Sequence, residues 1–147
     1  MDTSVLNFAF ETEAVEHRDA SLALFNKVRF GSIEAYISDV VLREISRAPT
    51  VRRAQLRRLV GDIKPSVLEL TEPAQDLAEK YLEEGIIPRR YEDDARHVAI
   101  AVVNRLDCVV SWNFRHLVRP VTRRRINAVN RLLGYPEIDI ASPEEVL

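Results

Sequence analysis

The chain contains few cysteines and glycines and no long apolar run, and each shortage excludes a class of protein. Its 147 residues include one cysteine, so an internal disulfide is impossible. Four glycines, none of them in a glycine-rich motif, exclude a phosphate-binding loop of that type. No apolar run approaches the about 18 residues of a membrane helix, and the first residues do not resemble a secretory signal. We therefore expect a cytoplasmic protein without membrane association.

The rest of the composition is typical of one folded domain. Hydrophobic residues make up 46% of the chain and charged residues 30%, which favours a globular protein over a disordered one. No repeat, low-complexity segment or linker divides the chain, so we predict a single domain over residues 1–147. The one cysteine, Cys108, lies in an apolar run, which favours a buried and reduced thiol.

Two arginine clusters interrupt a nearly balanced charge distribution. The net charge of −2 gives no overall basic field that would indicate nucleic-acid binding. The clusters are Arg52, Arg53, Arg57 and Arg58, and Arg115, Arg119, Arg123, Arg124 and Arg125. Local basic patches can bind a phosphate backbone, but a solvated helix face is the more common explanation. The clusters alone do not decide between the two.

Hydrophobic periodicity predicts an α/β fold. Apolar runs predict strands at residues 32–38, 66–70, 109–111 and 138–140. Capping residues and helical spacing predict helices that begin after Asp19, after Ser38 or Asp39, at Thr50, after Thr71, near Asp94 and near Thr122, and a last turn at 142–145. Strands that alternate with helices favour a mostly parallel sheet covered on both faces.

Four polar side chains fall near predicted strand or helix ends: Asp2, Glu44, Asp94 and Asn113. Because ligands of open parallel sheets bind at the carboxyl ends of the strands, we expect these side chains to converge in one crevice. Taken singly, each acid has an ordinary explanation. Asp2 fits a terminal residue, Asp94 a first-turn acid favoured by the helix dipole, and Glu44 a surface partner of a neighbouring arginine.

Four ordered segments resemble the motifs of a known family. They are DTSVL at 2–6, VLREI at 41–45, DARHVAIA at 94–101 and SWNFRHL at 111–117. Together they resemble PIN-domain nucleases, and most closely the VapC-like toxins of bacterial and archaeal toxin–antitoxin pairs. The resemblance implies a three-layer α/β/α domain with a central, mostly parallel sheet. It also implies a metal-dependent endoribonuclease that a cognate antitoxin inhibits and that often forms a homodimer.

The resemblance also assigns roles to individual residues. Asp2 is similar to the acid that ends the family's first strand, Glu44 to the second-motif glutamate and Asp94 to the third-motif aspartate. Asn113 stands where many members have a fourth acid, and Ser4 matches a hydroxyl residue that hydrogen-bonds within the site. Asp2, Glu44 and Asp94 are therefore expected to bind Mg²⁺ or Mn²⁺, which relieves the repulsion between close carboxylates. Because Asn113 adds no charge, the number of ions stays open.

Side chains around the fourth segment are candidates for substrate contacts. Five arginines that follow it are expected to bind RNA phosphates: Arg115, Arg119, Arg123, Arg124 and Arg125. Trp112 and Phe114 are candidates for stacking on an unpaired base, although packing beneath the site loop is expected for at least one of them. For His97 and His116 we expect roles at the surface or behind the acids, because neither has a partner at zinc-ligand spacing.

One feature departs from the family pattern, and two other functions stay open. Only Met1 precedes Asp2, so we expect a truncated first strand and a gain in stability when the chain is extended upstream in frame. The first alternative function is a non-catalytic PIN-like module that binds protein or RNA. The second is a phosphoacceptor or another doubly wound binding domain, which also clusters acids, but the expected lysine and hydroxyl pattern at later strand ends is missing.

Overall fold

Helices and short strands alternate along the chain in the computed structural model, which describes all 147 residues. The helices are α1 Thr3–Phe8, α2 Val15–Arg29, α3 Asp39–Arg47, α4 Thr50–Ile63, α5 Glu72–Glu83, α6 Glu92–Val103, α7 Pro120–Leu132 and α8 Pro143–Val146. The strands are β1 Tyr36–Ser38, β2 Ser66–Leu68, β3 Cys108–Val110 and β4 Asp139–Ala141, and a 3₁₀ turn at Arg89–Tyr91 precedes α6. The predicted α/β class is confirmed.

The strands form two parallel pairs, and the first two residues lie between the pairs. Strand β1 pairs with β2, and β3 pairs with β4. The terminal nitrogen of Met1 donates a hydrogen bond to the carbonyl of Tyr36 in β1 at 2.8 Å. The backbone N–H of Asp2 donates to the carbonyl of Val110 in β3 at 3.2 Å. Met1 and Asp2 therefore bridge the two pairs, and the order across the molecule is β2, β1, Met1–Asp2, β3, β4.

Hydroxyl caps determine where several helices begin. The Ser38 side chain accepts a hydrogen bond from the N–H of Val41 at the start of α3. The Thr71 side chain accepts one from the N–H of Ala74 at the start of α5. Each cap satisfies a backbone donor that has no partner inside the helix. Both predicted caps are confirmed, and Ser38 places α3 directly after the carboxyl end of β1.

The structure corrects boundaries predicted from the sequence and adds one helix. The strand predicted at 32–38 is limited to Tyr36–Ser38, the only part that pairs with β2. Helix α2 begins at Val15, so Asp19 lies inside the helix and does not cap it. Residues after Asp2 form α1 because the Asp2 carboxylate accepts the backbone N–H groups of Ser4 and Val5 and acts as the N-cap.

Two hydrophobic clusters lie on opposite sides of β3. The larger cluster contains residues of α5, α6 and α7 together with Val109. The smaller one contains residues of α1, α2, α3 and α4 together with Val110. Because successive side chains of a strand point to opposite faces, β3 separates the two clusters. No helix combines the length and apolar character needed to cross a membrane.

Candidate active site

Asp2 is buried between two hydroxyl groups. The side chain is 4% exposed. Its Oδ1 accepts a hydrogen bond from the Ser4 hydroxyl at 2.5 Å, and its Oδ2 accepts one from the Ser111 hydroxyl at 2.5 Å. Ser111 directly follows β3, so contacts from α1 and from the end of β3 fix both carboxylate oxygens. Hydroxyl donors stabilise the carboxylate without neutralising its charge.

Asp94 lies in the first turn of α6 and is bound to Asn113. The Nδ2 of Asn113 donates to Oδ2 of Asp94 at 2.9 Å. Burial, and next the negative charge of Asp2, raise the pKa of Asp94 to about 6, with a further contribution from Glu44 and opposing effects of His97 and Asn113. The three predicted acids therefore lie close enough to affect one another electrostatically.

Glu44 reaches the same region from α3 and is bound to His97. The Nε2 of His97 lies 2.9 Å from Oε1 of Glu44, and its Nδ1 lies 3.4 Å from the hydroxyl of Ser38. His97 is one turn after Asp94 on α6 and is 8% exposed. It is therefore a buried residue behind Glu44, and the alternative expectation of a surface role is wrong.

The acids do not form a ready-made ligand set. No group of three or more His, Cys, Asp or Glu side chains is arranged to hold a metal ion. Asp2 is bound to hydroxyl groups, Glu44 to His97 and Asp94 to Asn113. Sharing one ion would require at least some of these carboxylates to rotate. Their charge does favour binding of a cation. Three acids from separate elements face one region, and no lysine or arginine forms an ion pair with them.

Asn113 uses both ends of its amide. Besides the bond to Asp94, its Oδ1 accepts the backbone N–H of His116 at 2.9 Å. Its own backbone N–H donates to the Ser111 hydroxyl at 2.9 Å, the same hydroxyl that contacts Asp2. Asn113 thus connects Asp94, Asp2 and the following loop.

The predicted arginine cluster divides into two groups. Arg123 pairs with Asp139 at the amino end of β4, the end opposite the acids, at 3.1 Å. Arg125 donates to the carbonyls of the turn after α5, including that of Glu84 at 2.7 Å. These two arginines are bound away from the acids, whereas Arg124 is exposed. Arg123 and Arg125 therefore do not fit the predicted phosphate-binding role.

Arg115 and Arg119 instead lie around His116 together with Arg90, which the sequence reasoning missed. Burial lowers the pKa of His116, and the charges of Arg115, Arg90 and Arg119 lower it further. The His116 ring stacks on Tyr91 with centroids 4.1 Å apart, and the Arg90 guanidinium lies 5.0 Å from the centre of the Tyr91 ring. We call Arg90, Arg115 and Arg119 the cationic patch. The signal for Arg90 was its position just before the helix that carries Asp94.

An aromatic cluster adjoins the acids through Trp112, the residue before Asn113. The backbone N–H of Trp112 donates to the Ser4 hydroxyl at 2.9 Å, and its indole N–H donates to Ser21 at 2.8 Å. His17 stacks on Trp112 with centroids 4.1 Å apart. Trp112 is 6% exposed, which confirms that it packs beneath the site loop, whereas Phe114 is 47% exposed.

Comparison of the chain with models of known protein families and with curated proteins gives no match. The functional interpretation therefore depends on the geometry and charge of these residues.

Proposed function

We propose that the chain is a divalent-metal-dependent endoribonuclease with a PIN-like fold. The proposal rests on the placement of Asp2, Glu44 and Asp94, which come from three separate elements. Asp94 is largely buried, and the negative charges of the other two raise its pKa. Clustered carboxylates without cationic partners are typical of sites for hard divalent cations. Their position beside the carboxyl ends of β1 and β3 is where ligands of parallel sheets bind.

The proposal includes a three-layer α/β/α domain in which Met1 and Asp2 take the place of a short first strand. Support comes from the two hydrophobic clusters on either side of β3, each of them covered by helices. Further support comes from the Met1–Asp2 segment, which hydrogen-bonds to β1 and β3 as a short central strand would.

In this proposal Asp2, Glu44 and Asp94 bind Mg²⁺ or Mn²⁺, directly or through water. The bound ion supplies positive charge that activates a water molecule and stabilises the developing charge on the phosphate. The chain's own groups prepare the site. Ser4 and Ser111 orient Asp2, and Asn113 orients Asp94. Glu44, held by His97, orients the attacking water, and hydrolysis leaves a 5′-phosphate and a 3′-hydroxyl.

The cationic patch provides the contacts to RNA phosphates in this proposal. Arg90, Arg115 and Arg119 are exposed and lie around His116, whose backbone N–H is bound to Asn113. Guanidinium groups bind phosphate oxygens with good geometry and without sequence preference. Charge reversal of Arg115 and Arg119 should therefore weaken RNA binding and reduce its salt dependence, whereas reversal of Arg125 should not. Equal effects on affinity would contradict this assignment.

A cognate antitoxin and a homodimer belong to the same proposal. Exposed apolar surface supports a protein partner: Leu42 of α3, the helix that carries Glu44, is 40% exposed. We expect the inhibitor to block access to the acids. Size measurement of the purified chain tests the homodimer, and inhibition of cleavage by the protein encoded beside it tests the antitoxin.

The second candidate is a non-catalytic module that binds RNA or protein. The observation that favours it is the satisfied state of the three acids, none of which is arranged around a common ion. A metal titration followed by calorimetry separates the two functions. A nuclease binds Mn²⁺ with defined stoichiometry, whereas a binding module gives no stoichiometric heat.

Cleavage of a total RNA pool with and without Mn²⁺ tests the nuclease directly. We expect metal-dependent cleavage that Asp94→Asn abolishes. Asp93→Asn is the matched control, because Asp93 lies in the same helical turn but binds Arg96 at 2.8 Å. Cleavage without metal, or an active Asp94→Asn protein, would refute the proposed mechanism.

A further inference from the structure

The exposed ring of Phe114 lies on an aromatic support beside the acids. Its centroid is 6.0 Å from that of Trp112 and 6.3 Å from that of His17, with interplanar angles of 58° and 41°. Phe8 contacts the same group, at 5.2 Å from His17 and 5.7 Å from Trp112. Trp112 is 6% exposed and Phe114 is 47% exposed, so the cluster is closed behind Phe114 and open in front of it.

The loop that carries Phe114 is fixed to the acids on both sides. Trp112 donates its backbone N–H to Ser4, whose hydroxyl contacts Asp2. Asn113 donates its side-chain N–H to Asp94. Phe114 itself donates its backbone N–H to the carbonyl of Trp112 at 3.0 Å. Phe114 therefore directly follows the residue that holds Asp94, in a loop whose position these bonds fix.

We propose that Phe114, supported by His17 and Trp112, forms a stacking site for one unpaired nucleobase of the RNA. This inference rests on the proposed nuclease function and adds a preference for single-stranded substrate. Stacking requires a free base face, which a continuous duplex does not offer. The cationic patch surrounds His116, which is hydrogen-bonded to Asn113, so the same loop offers contacts for a base and for neighbouring phosphates.

Exposure of an aromatic ring does not by itself make such a site, as Phe30 shows. Phe30 is 85% exposed at the end of α2 and belongs to no aromatic pair, cation–π contact or hydrophobic cluster. Phe114 differs in its aromatic support and in its hydrogen-bonded loop beside Asp94. Phe30 therefore serves as the matched control for removal of an exposed phenyl ring.

The only tryptophan of the chain is in this cluster, which makes the site observable. The test uses the metal-free Asp94→Asn protein, which is expected to bind RNA without cleaving it. This protein is titrated with single-stranded oligoadenylate. Binding is followed by Trp112 fluorescence and by the anisotropy of a labelled oligonucleotide. Phe114→Ala and Phe114→Leu should each weaken binding about tenfold or more, since stacking contributes substantially per base. Phe114→Tyr should retain affinity, and Phe30→Ala should not change it.

Two further ligands complete the test. An oligonucleotide with abasic positions should bind the unsubstituted and Phe114→Ala proteins about equally, and duplex RNA should show no dependence on Phe114. Wild-type affinity of Phe114→Ala for oligoadenylate, or an equal loss for the abasic ligand, would overturn the stacking site alone. If the chain with Phe114 intact binds no RNA, both the stacking site and the nuclease proposal fail. Urea unfolding of each variant verifies that it is folded.

Discussion

Replacement of Asp94 by asparagine should stabilise the metal-free protein at neutral pH. Burial, together with the negative charges of Asp2 and Glu44, raises the pKa of Asp94 to about 6. The ionised form is therefore less stable in the folded chain than in the unfolded chain. Asparagine has nearly the same shape, carries no charge, and keeps an oxygen that can accept the hydrogen bond from Asn113. We expect the substitution to remove the repulsion and to preserve the packing.

The magnitude follows from the difference between about 6 and the ordinary value of 3.8. At 1.36 kcal/mol for each pKa unit, ionised Asp94 destabilises the fold by about 3 kcal/mol. Below pH 4 the carboxyl group is protonated in both states, so the cost is absent. Between pH 4 and 6 the unfolded chain releases the proton first, and stability falls as the pH rises. The advantage of Asp94→Asn should therefore be fully developed at pH 7 to 8.

Thermal unfolding with a chelator at pH 8 measures this advantage. For a chain of this length, about 3 kcal/mol corresponds to an increase in Tm of roughly 6 to 12 °C. Mn²⁺ at a hundred times its Kd should nearly cancel the difference in stability between the two proteins. At a hundred times its Kd the ion stabilises the wild-type chain by about 2.7 kcal/mol, whereas Asp94→Asn should gain little because it has lost a ligand.

Asp93→Asn is the control for this experiment, because Asp93 lies in the same turn of α6 but pairs with Arg96. Loss of this exposed ion pair should lower stability by less than about 1 kcal/mol at any of these pH values. The reasoning is refuted if Asp94→Asn unfolds at or below the wild-type temperature in chelator. It is also refuted if Mn²⁺ raises the Tm of both proteins equally.

Three further predictions concern the fold. Burial, and next the charge of Asp139, raise the pKa of the Cys108 thiol from 9.0 to about 11. Because the thiolate is the reactive form, alkylation of Cys108 at pH 8 should be about a hundredfold slower in the folded chain than in the unfolded chain. Equal rates would contradict this. Tyr81→Phe should lower the free energy of unfolding in urea by about 1 to 3 kcal/mol, because the buried side-chain oxygen of Asn130 loses its hydrogen bond of 2.5 Å. A loss below about 0.5 kcal/mol would show that the bond is dispensable. A short apolar extension before Met1 should raise the Tm, because Met1 hydrogen-bonds to β1 and Asp2 to β3, so that added residues can continue this segment between the two strands. Identical melting temperatures would argue against it.

The sequence predicts helices well where a cap and an apolar stripe occur together. Thr71 before α5 and Ser38 before α3 are such cases, and the structure confirms both caps. It predicts poorly where no side-chain cap exists, as at the start of α2, where Val15 begins the helix. The lengths of the first two strands were overestimated because pairing, and not the apolar pattern, ends β1 and β2 after three residues. The lengths predicted for β3 and β4 agree with the structure, with bounds displaced by one residue.

For the candidate site, local motifs identified the acids but not their partners. Asp2 and Ser111 are 109 residues apart in the chain, and Glu44 and His97 are 53 apart. Contacts of this kind depend on how β1, β3 and α6 pack, which no local pattern specifies. Arg90 was missed for the same reason, because only the packing of the 3₁₀ turn against the loop after β3 brings it near His116.

The contrast within one helical turn gives the strongest reason to regard the acids as a binding site and not as a structural ion-pair network. Glu92 and Asp93 both pair with Arg96, as exposed acids of a solvated helix commonly do. Asp94, the next residue, is more deeply buried and has no cationic partner, and its hydrogen bond comes from a neutral amide. A network selected for stability would place a guanidinium against such a buried charge, because an unpaired one is costly. The chain instead keeps its nearby arginines around His116, which leaves the negative charge of the acids available to a cation and the arginines available to phosphates.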